Sequence, residues 1–299
     1  MNILNVAYQM GEYKISVKEL YPGIDLIDKT GIPFVYETKH KTIVLASKAC
    51  EKIPKEYLQD INLVLFVTQS PDDLLPSNSI SLANIIGLTG EVMTFDINQG
   101  CSGFVQTLCI IDALITKYPR ILFITADRYR SKLNPRDRST NAVFSDGATA
   151  SIWVKEGPKK ILYENTVTFS DTRDLLFQST SKLENEGFLH MSGAEVWMFT
   201  KLKVVPQIIE AIKYCTMMNI NIKDIYIHQA SKVVVNGIKD ALAAYNLNIL
   251  SNYENYGNTV SSTIPILIAD NFEKFTKDNN VSILAGFGVG LTSTVAVYG

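Results

Sequence analysis

The chain has 299 residues, 46% of them hydrophobic, with 28 basic and 30 acidic side chains and a formal net charge of −2. That much apolar sequence supplies a sizeable core and excludes disorder, and charge this balanced argues against nucleic acid or a membrane surface as partner. The four cysteines (Cys50, Cys101, Cys109 and Cys215) form no Cys-x-x-Cys pair and no dense spacing, which argues against a disulfide scaffold or a zinc site, and no metal is expected.

The amino terminus lacks a basic patch followed by an apolar run, and no later segment is long and apolar enough to span a bilayer, so the expectation is a soluble cytoplasmic protein. Short apolar, β-branched runs at 61–68, 92–97, 121–126, 149–154, 224–227, 281–285 and 292–298 read as buried strands of an α/β protein. Helical spacing runs through 79–88, 102–117, 196–218 and 232–245. The helix at 102–117 is apolar nearly all round, which predicts a place between layers. The stretch 63–70 resembles 224–231, and 144–154 resembles 287–297, so the chain reads as two related halves, 1–157 and 158–299, meeting where 155–160 breaks the pattern.

Three polar turns carry the candidate chemistry. Cys101 lies where a short strand turns through Asn98-Gln99-Gly100 into the apolar helix, and a thiol at the first turn of a helix is favoured as thiolate by the unpaired N–H groups and the dipole. His228 is one of only three histidines and ends the strand at 224–227, at the carboxyl end where ligands gather in α/β sheets. Asn258 sits in Gly257-Asn258-Thr259, a polar turn entering another apolar helix; a helix cap is the alternative role for it. The turn Gly286-Phe287-Gly288-Val289-Gly290 offers backbone N–H groups to an approaching oxygen but lacks the ending of a phosphate loop.

Taken in order, Asp96-(x)4-Cys101-Ser102-Gly103-Phe104, His228-Gln229-Ala230, Gly257-Asn258-Thr259-(x)4-Ile264-Pro265 and Gly286-Phe287-Gly288-x-Gly290-Leu291-Thr292 resemble the β-ketoacyl-acyl-carrier-protein synthase III family of the thiolase superfamily. Lys29-Thr30-Gly31-Ile32, Phe144-Ser145-Asp146-Gly147 and Leu189-His190-Met191-Ser192 fall where that family has counterparts. The resemblance implies a thiolase fold, with two duplicated halves in five αβαβα layers. It implies a Cys-His-Asn site of Cys101, His228 and Asn258, with an oxyanion held by the N–H groups of Cys101 and Val289. The implied reaction is acylation of Cys101, then decarboxylative Claisen condensation with a malonyl-type thioester. Leu75, Arg138, Phe144, Met191, Trp197, Phe287 and Gly288 stand at the family's substrate-binding positions. The implied substrates are acyl-CoA and acyl carrier protein, with no permanently bound cofactor, and the implied assembly is a homodimer.

Asn at 258 separates this chain from relatives with a Cys-His-His pattern, and Asn98-Gln99-Gly100 lacks the glutamate of hydroxymethylglutaryl-CoA synthases. The chain departs from the family on the cofactor side. Asp25 stands in place of a tryptophan that stacks on adenine, Lys29 in place of arginine, and Ser231-Lys232-Val233 in place of Asn-x-Arg. Those departures motivate an alternative, an acyltransferase passing the acyl group from Cys101 to an amine or hydroxyl in glycan or secondary-metabolite assembly. A third reading, a non-catalytic partner subunit, is opposed by retention of all three site residues.

Overall fold

The computed structural model describes residues 1–88 and 90–299. Alternation along the strand Leu63–Val67 sets out the architecture. Leu63, Leu65 and Val67 join Phe104, Val105, Leu108 and Ile111 in one apolar cluster, while Val64 and Phe66 join Ile43, Leu45, Ala46 and Ala49 in another. Successive side chains of a strand point to opposite faces, so a strand apolar at every position is covered on both.

The first sheet runs Asn2–Met10, Gly147–Val154, Arg120–Asp127, Leu63–Val67, Met93–Ile97, the last three parallel. In the second, the order is Ile161–Thr168, Thr292–Tyr298, Val281–Gly288, Ile222–Ile227, Asn248–Leu250, again with the last three parallel. The two sequence echoes thus occupy equivalent places: Leu63–Val67 matches Ile222–Ile227, and Gly147–Val154 matches Thr292–Tyr298. Helices Gly103–Leu114 and Thr263–Asp270 lie between the sheets, since Phe104, Leu108, Ile264 and Leu267 share one cluster with Trp153 of the first sheet and Tyr226, Leu284 and Tyr298 of the second. Thr42–Glu51 and Asn78–Ile85 cover the outer face of one sheet; Val205–Met217 and Lys232–Ala241 cover the other. This is the five-layered αβαβα arrangement.

Two helix expectations are refined, and two edge strands went unread in the sequence. The edge strands Asn2–Met10 and Ile161–Thr168 are only half-buried and carry Asn, Gln, Glu and Thr, so no apolar run announced them. The helix read at 102–117 closes at Leu114. The one read at 196–218 divides into Gly193–Phe199, a π-helical turn Thr200–Val204 and Val205–Met217. Pro206 accounts for the division, because it has no N–H to give the preceding turn and its ring crowds the carbonyl four residues back.

Candidate active site

Carboxyl ends of parallel strands from both sheets meet around the sulfur of Cys101. Met93–Ile97 leads through Asn98-Gln99-Gly100 to Cys101, buried just ahead of the helix Gly103–Leu114. From the second sheet, Val281–Gly288 ends against it. A Cβ on Gly288 would lie 2.7 Å from Cys101 Cβ and 3.1 Å from Sγ, so only glycine lets this backbone approach. The residue before it, Phe287, sets its ring edge-on to His228, with centroids 5.4 Å apart. One strand end therefore touches both groups.

His228 follows Ile222–Ile227 directly. Its N–H donates to Ala285 O at 2.9 Å, which fixes its backbone to the neighbouring strand, and its ring Nδ1 lies 2.7 Å from Thr263 Oγ1. His228 is 2% exposed, and burial pushes its ring down to about 3, so it stays neutral at physiological pH. Asn258 is held by its backbone between Val143 and Ser145, donating to Val143 O and accepting from Ser145 N, each at 2.9 Å. Its Oδ1 accepts the N–H of Val260 at 2.9 Å, which assigns the amide oxygen and leaves Nδ2 free to donate. Phe144 bridges backbone to Asn258 and packs in the same apolar cluster as Cys101, Val260 and Phe287, with Met191 and Val289 against it.

The thiol departs from expectation. Burial pushes Cys101 up, the Asp127 carboxylate adds to this, and a backbone hydrogen bond works the other way without prevailing. Desolvation therefore outweighs the helix terminus, and the resting group is a thiol. Asp127 closes the strand Arg120–Asp127 and was not singled out in the sequence, although it follows the apolar run at 121–126. It accepts hydrogen bonds from Ser261 Oγ (2.7 Å), Gln69 N (2.8 Å), Ser70 Oγ (3.1 Å) and Thr68 Oγ1 (3.3 Å), and so ties the segment after Asn258 to the first sheet. Burial still pushes its carboxyl up to about 6. Thr263 and Val260 were also missed, because Val260-Ser261-Ser262-Thr263 before Ile264-Pro265 reads as an ordinary helix start.

Two family models match the chain: 3-oxoacyl-[acyl-carrier-protein (ACP)] synthase III over residues 95–171, and the C-terminal part of the same synthase over residues 215–299. The β-ketoacyl-[acyl-carrier-protein] synthase III of Campylobacter concisus is 30% identical over 285 residues, 89% of this chain and 85% of that protein. The chain belongs to the 3-oxoacyl-[acyl-carrier-protein] synthase III family. It is a condensing enzyme. The Rickettsia prowazekii synthase III is 29% identical over 93% of this chain and 92% of its own length. Among solved structures, the synthase III of Aquifex aeolicus superposes with a TM-score of 0.88 at 23% identity, covering 99% of both chains. That of Pseudomonas aeruginosa does so with 0.88 at 22% identity, covering 99% of this chain and 97% of the other, which confirms the thiolase fold. These likenesses support the condensing reading and lend nothing to an amine or hydroxyl acceptor.

The remaining positions expected from the sequence to bind substrate divide by depth. Phe144, Phe287 and Met191 belong to the cluster around the sulfur. Trp197 is half-exposed beside Gly237, Arg138 is exposed on a short helix capped by Asp137, and Leu75 is 88% exposed and joins no part of the site within one chain. Asp25 accepts the N–H of Asp28, and Lys232 Nζ reaches Asp28 O at 2.9 Å. A surface groove of about 770 Å³, lined by Ser47, Cys50, Ile61 and Leu88, lies among the outer helices of the first half. Cys50 is its thiol, and burial pushes that group up to about 12. The groove's Cys50, Ile61 and Leu88 belong to a different apolar cluster from the one that holds Cys101. Among the described residues no helix is long and apolar enough to cross a membrane, and no group of acidic, Cys and His side chains could hold a metal.

Proposed function

We propose that the condensation runs in two half-reactions on the sulfur of Cys101. In the first, Cys101 attacks the carbonyl of an acyl thioester. A bond forms from Sγ to the acyl carbon, the bond to the donor sulfur breaks, and the thiol proton ends on the departing sulfur. The N–H groups of Cys101 and Val289 hold the oxyanion, and the exchange of one thioester for another costs little. In the second, a malonyl-type thioester loses carbon dioxide, and the electron pair of the broken C–C bond moves toward its thioester oxygen. Asn258 Nδ2 and a ring N–H of His228 donate to that oxygen. The enolate carbon then attacks the acyl group, the bond from the acyl carbon to Sγ breaks, and Cys101 leaves as thiolate and takes a proton from solvent. Neutral donors suit this step, because a carboxylate in either place would repel the forming enolate.

One observation supports this assignment above the others: a single strand end places Gly288 against Cys101 and Phe287 against His228. Mass spectrometry after incubation with a panel of acyl-CoA and acyl-carrier-protein thioesters tests it. Wild type is expected to gain acyl mass and Cys101→Ala to gain none; a wild type that gains no mass rejects the assignment. The same panel resolves the donor. Asp25 is engaged in capping and supplies no stacking surface, so an acyl carrier protein is the proposed source of one or both acyl groups, with no permanently bound cofactor. The first half, 1–157, then supplies the nucleophile and the second, 158–299, the two donors, in a cytoplasmic enzyme.

A second copy of the chain is proposed as the cover for Met93–Ile97. That strand pairs with Leu63–Val67 on one side and with no described strand on the other, and Phe95 is 47% exposed. An open apolar edge of this kind invites pairing. Leu74 and Leu75, 90% and 88% exposed, are proposed to enter the partner. Sedimentation is expected to give a dimer for wild type and a monomer for Phe95→Lys; a wild type that sediments as a monomer at micromolar concentration rejects the assembly.

A further inference from the structure

Two residues of the second half stand behind the proposed donors. The neutral ring of His228 carries one proton, on one of its two nitrogens. Nδ1 is 2.7 Å from Thr263 Oγ1, and that same oxygen is 3.2 Å from Val260 O. Thr263 has one hydroxyl proton and two acceptors within reach. If the proton goes to Val260 O, the ring proton sits on Nδ1 and Nε2 presents a lone pair. If it goes to Nδ1, the ring proton sits on Nε2, which becomes a donor.

The condensation discriminates between the two. An oxygen gaining negative charge beside Nε2 is stabilised by an N–H there and repelled by a lone pair. Distance points the same way, since 2.7 Å is the usual length of a hydroxyl hydrogen bond and 3.2 Å lies beyond that range. We infer that Thr263 is a positioning residue whose hydroxyl proton belongs to His228 Nδ1, and that it thereby keeps the ring proton on Nε2, facing the forming enolate. Val260 completes the arrangement. It is fully buried and β-branched, yet has φ 56°, a left-handed backbone conformation that such a residue rarely adopts. In that conformation its N–H reaches Asn258 Oδ1 and its carbonyl lies beside Thr263, so one short segment orients both donors.

The inference rests on His228 and Asn258 being the donors, and its test is separable from that reading. Nitrogen-15 spectra of histidine-labelled wild type, with His228 assigned by its loss in His228→Gln, are expected to show the proton on Nε2 and an acceptor hydrogen bond at Nδ1. Thr263→Val is expected to lose that hydrogen bond and to decarboxylate malonyl thioester about tenfold more slowly, with Cys101 loading within about twofold of wild type, as the loss of one buried hydrogen bond implies. Thr263→Ser is expected to restore both. A proton on Nδ1 in wild type overturns the inference. So does a Thr263→Val enzyme that decarboxylates normally, or one that slows in both half-reactions alike, which would mark a merely structural role. Should Thr263→Val not fold, the wild-type spectrum decides alone. Failure of wild type to form an acyl adduct removes the functional reading and leaves the spectrum standing.

Discussion

Gly288 sets the tolerance of the site at the level of single atoms. Its strand is paired with Thr292 on one side and abuts Cys101 on the other, so an added methyl group has nowhere to withdraw. Overpacking of this kind costs about 1–3 kcal/mol and displaces whatever yields first. Gly288→Ala is therefore expected to slow acyl loading of Cys101 by about tenfold or more, the kinetic equivalent of such a cost, as timed by adduct mass; loading at the wild-type rate would show that the backbone has slack. Asn258→Asp probes the other half-reaction. The new carboxylate still accepts the N–H of Val260, but a negative oxygen replaces the Nδ2 donor. Carbon dioxide release from malonyl thioester should fall about 10²–10³-fold, as for loss of an oxyanion donor, while acyl loading persists. Undiminished release would remove Asn258 from the decarboxylation step. Cys101, His228 and Asn258 stood out as candidates because each lies in a polar turn beside an apolar run, and it was the resemblance to the family that joined the three into one proposed site. The ionisation of Cys101 was not legible, since helix position is local in sequence whereas burial depends on the second sheet.

Elements were legible to the extent that both of their faces are buried. Leu63–Val67 and Arg120–Asp127 are apolar almost throughout because helices cover them above and below, while Asn2–Met10 carries a mixed sequence because it is half-buried along its length. Asp96 illustrates a role that only the assembled elements disclose. It opens the motif that ends in Cys101, yet its two carboxylate oxygens accept the N–H groups of Asn78 and Ser79 at 2.7 and 2.8 Å. It therefore closes the amino end of Asn78–Ile85, where no side chain of that helix does so, and pins the helix to the strand that carries the nucleophile. Asp96→Ala is expected to lower unfolding free energy by about 1–2 kcal/mol in urea, with Cys101 loading per folded molecule unchanged. A loss of loading without loss of stability would instead place Asp96 in the chemistry.

At the scale of the whole molecule, the two halves are joined by buried polar groups as well as by the central helices, and this makes stability respond to pH. Asp127 receives donors from both halves, and Asp146 receives the N–H groups of Thr38 and Arg130. Burial pushes Asp127 up to about 6 and Asp146 up to about 7, whereas the same cause pushes His228 down to about 3. The signs oppose one another. Below neutrality the folded state keeps protons on the two aspartates that the unfolded chain has not yet taken up, which favours folding as pH falls toward 4. Below its ordinary value of 6.5, His228 takes a proton only when unfolded, which disfavours folding over the same window. Two proton uptakes by the folded state against one by the unfolded state leave a net gain of about 1 kcal/mol between pH 7 and 5.5. Wild-type stability in urea is thus expected to rise slightly over that interval, and Asp146→Asn to abolish the rise, because a single aspartate no longer outweighs the histidine. A wild-type stability that declines from pH 7 to 5.5 would mean that both carboxyl groups remain ionised, held by their N–H and hydroxyl donors against the cost of burial.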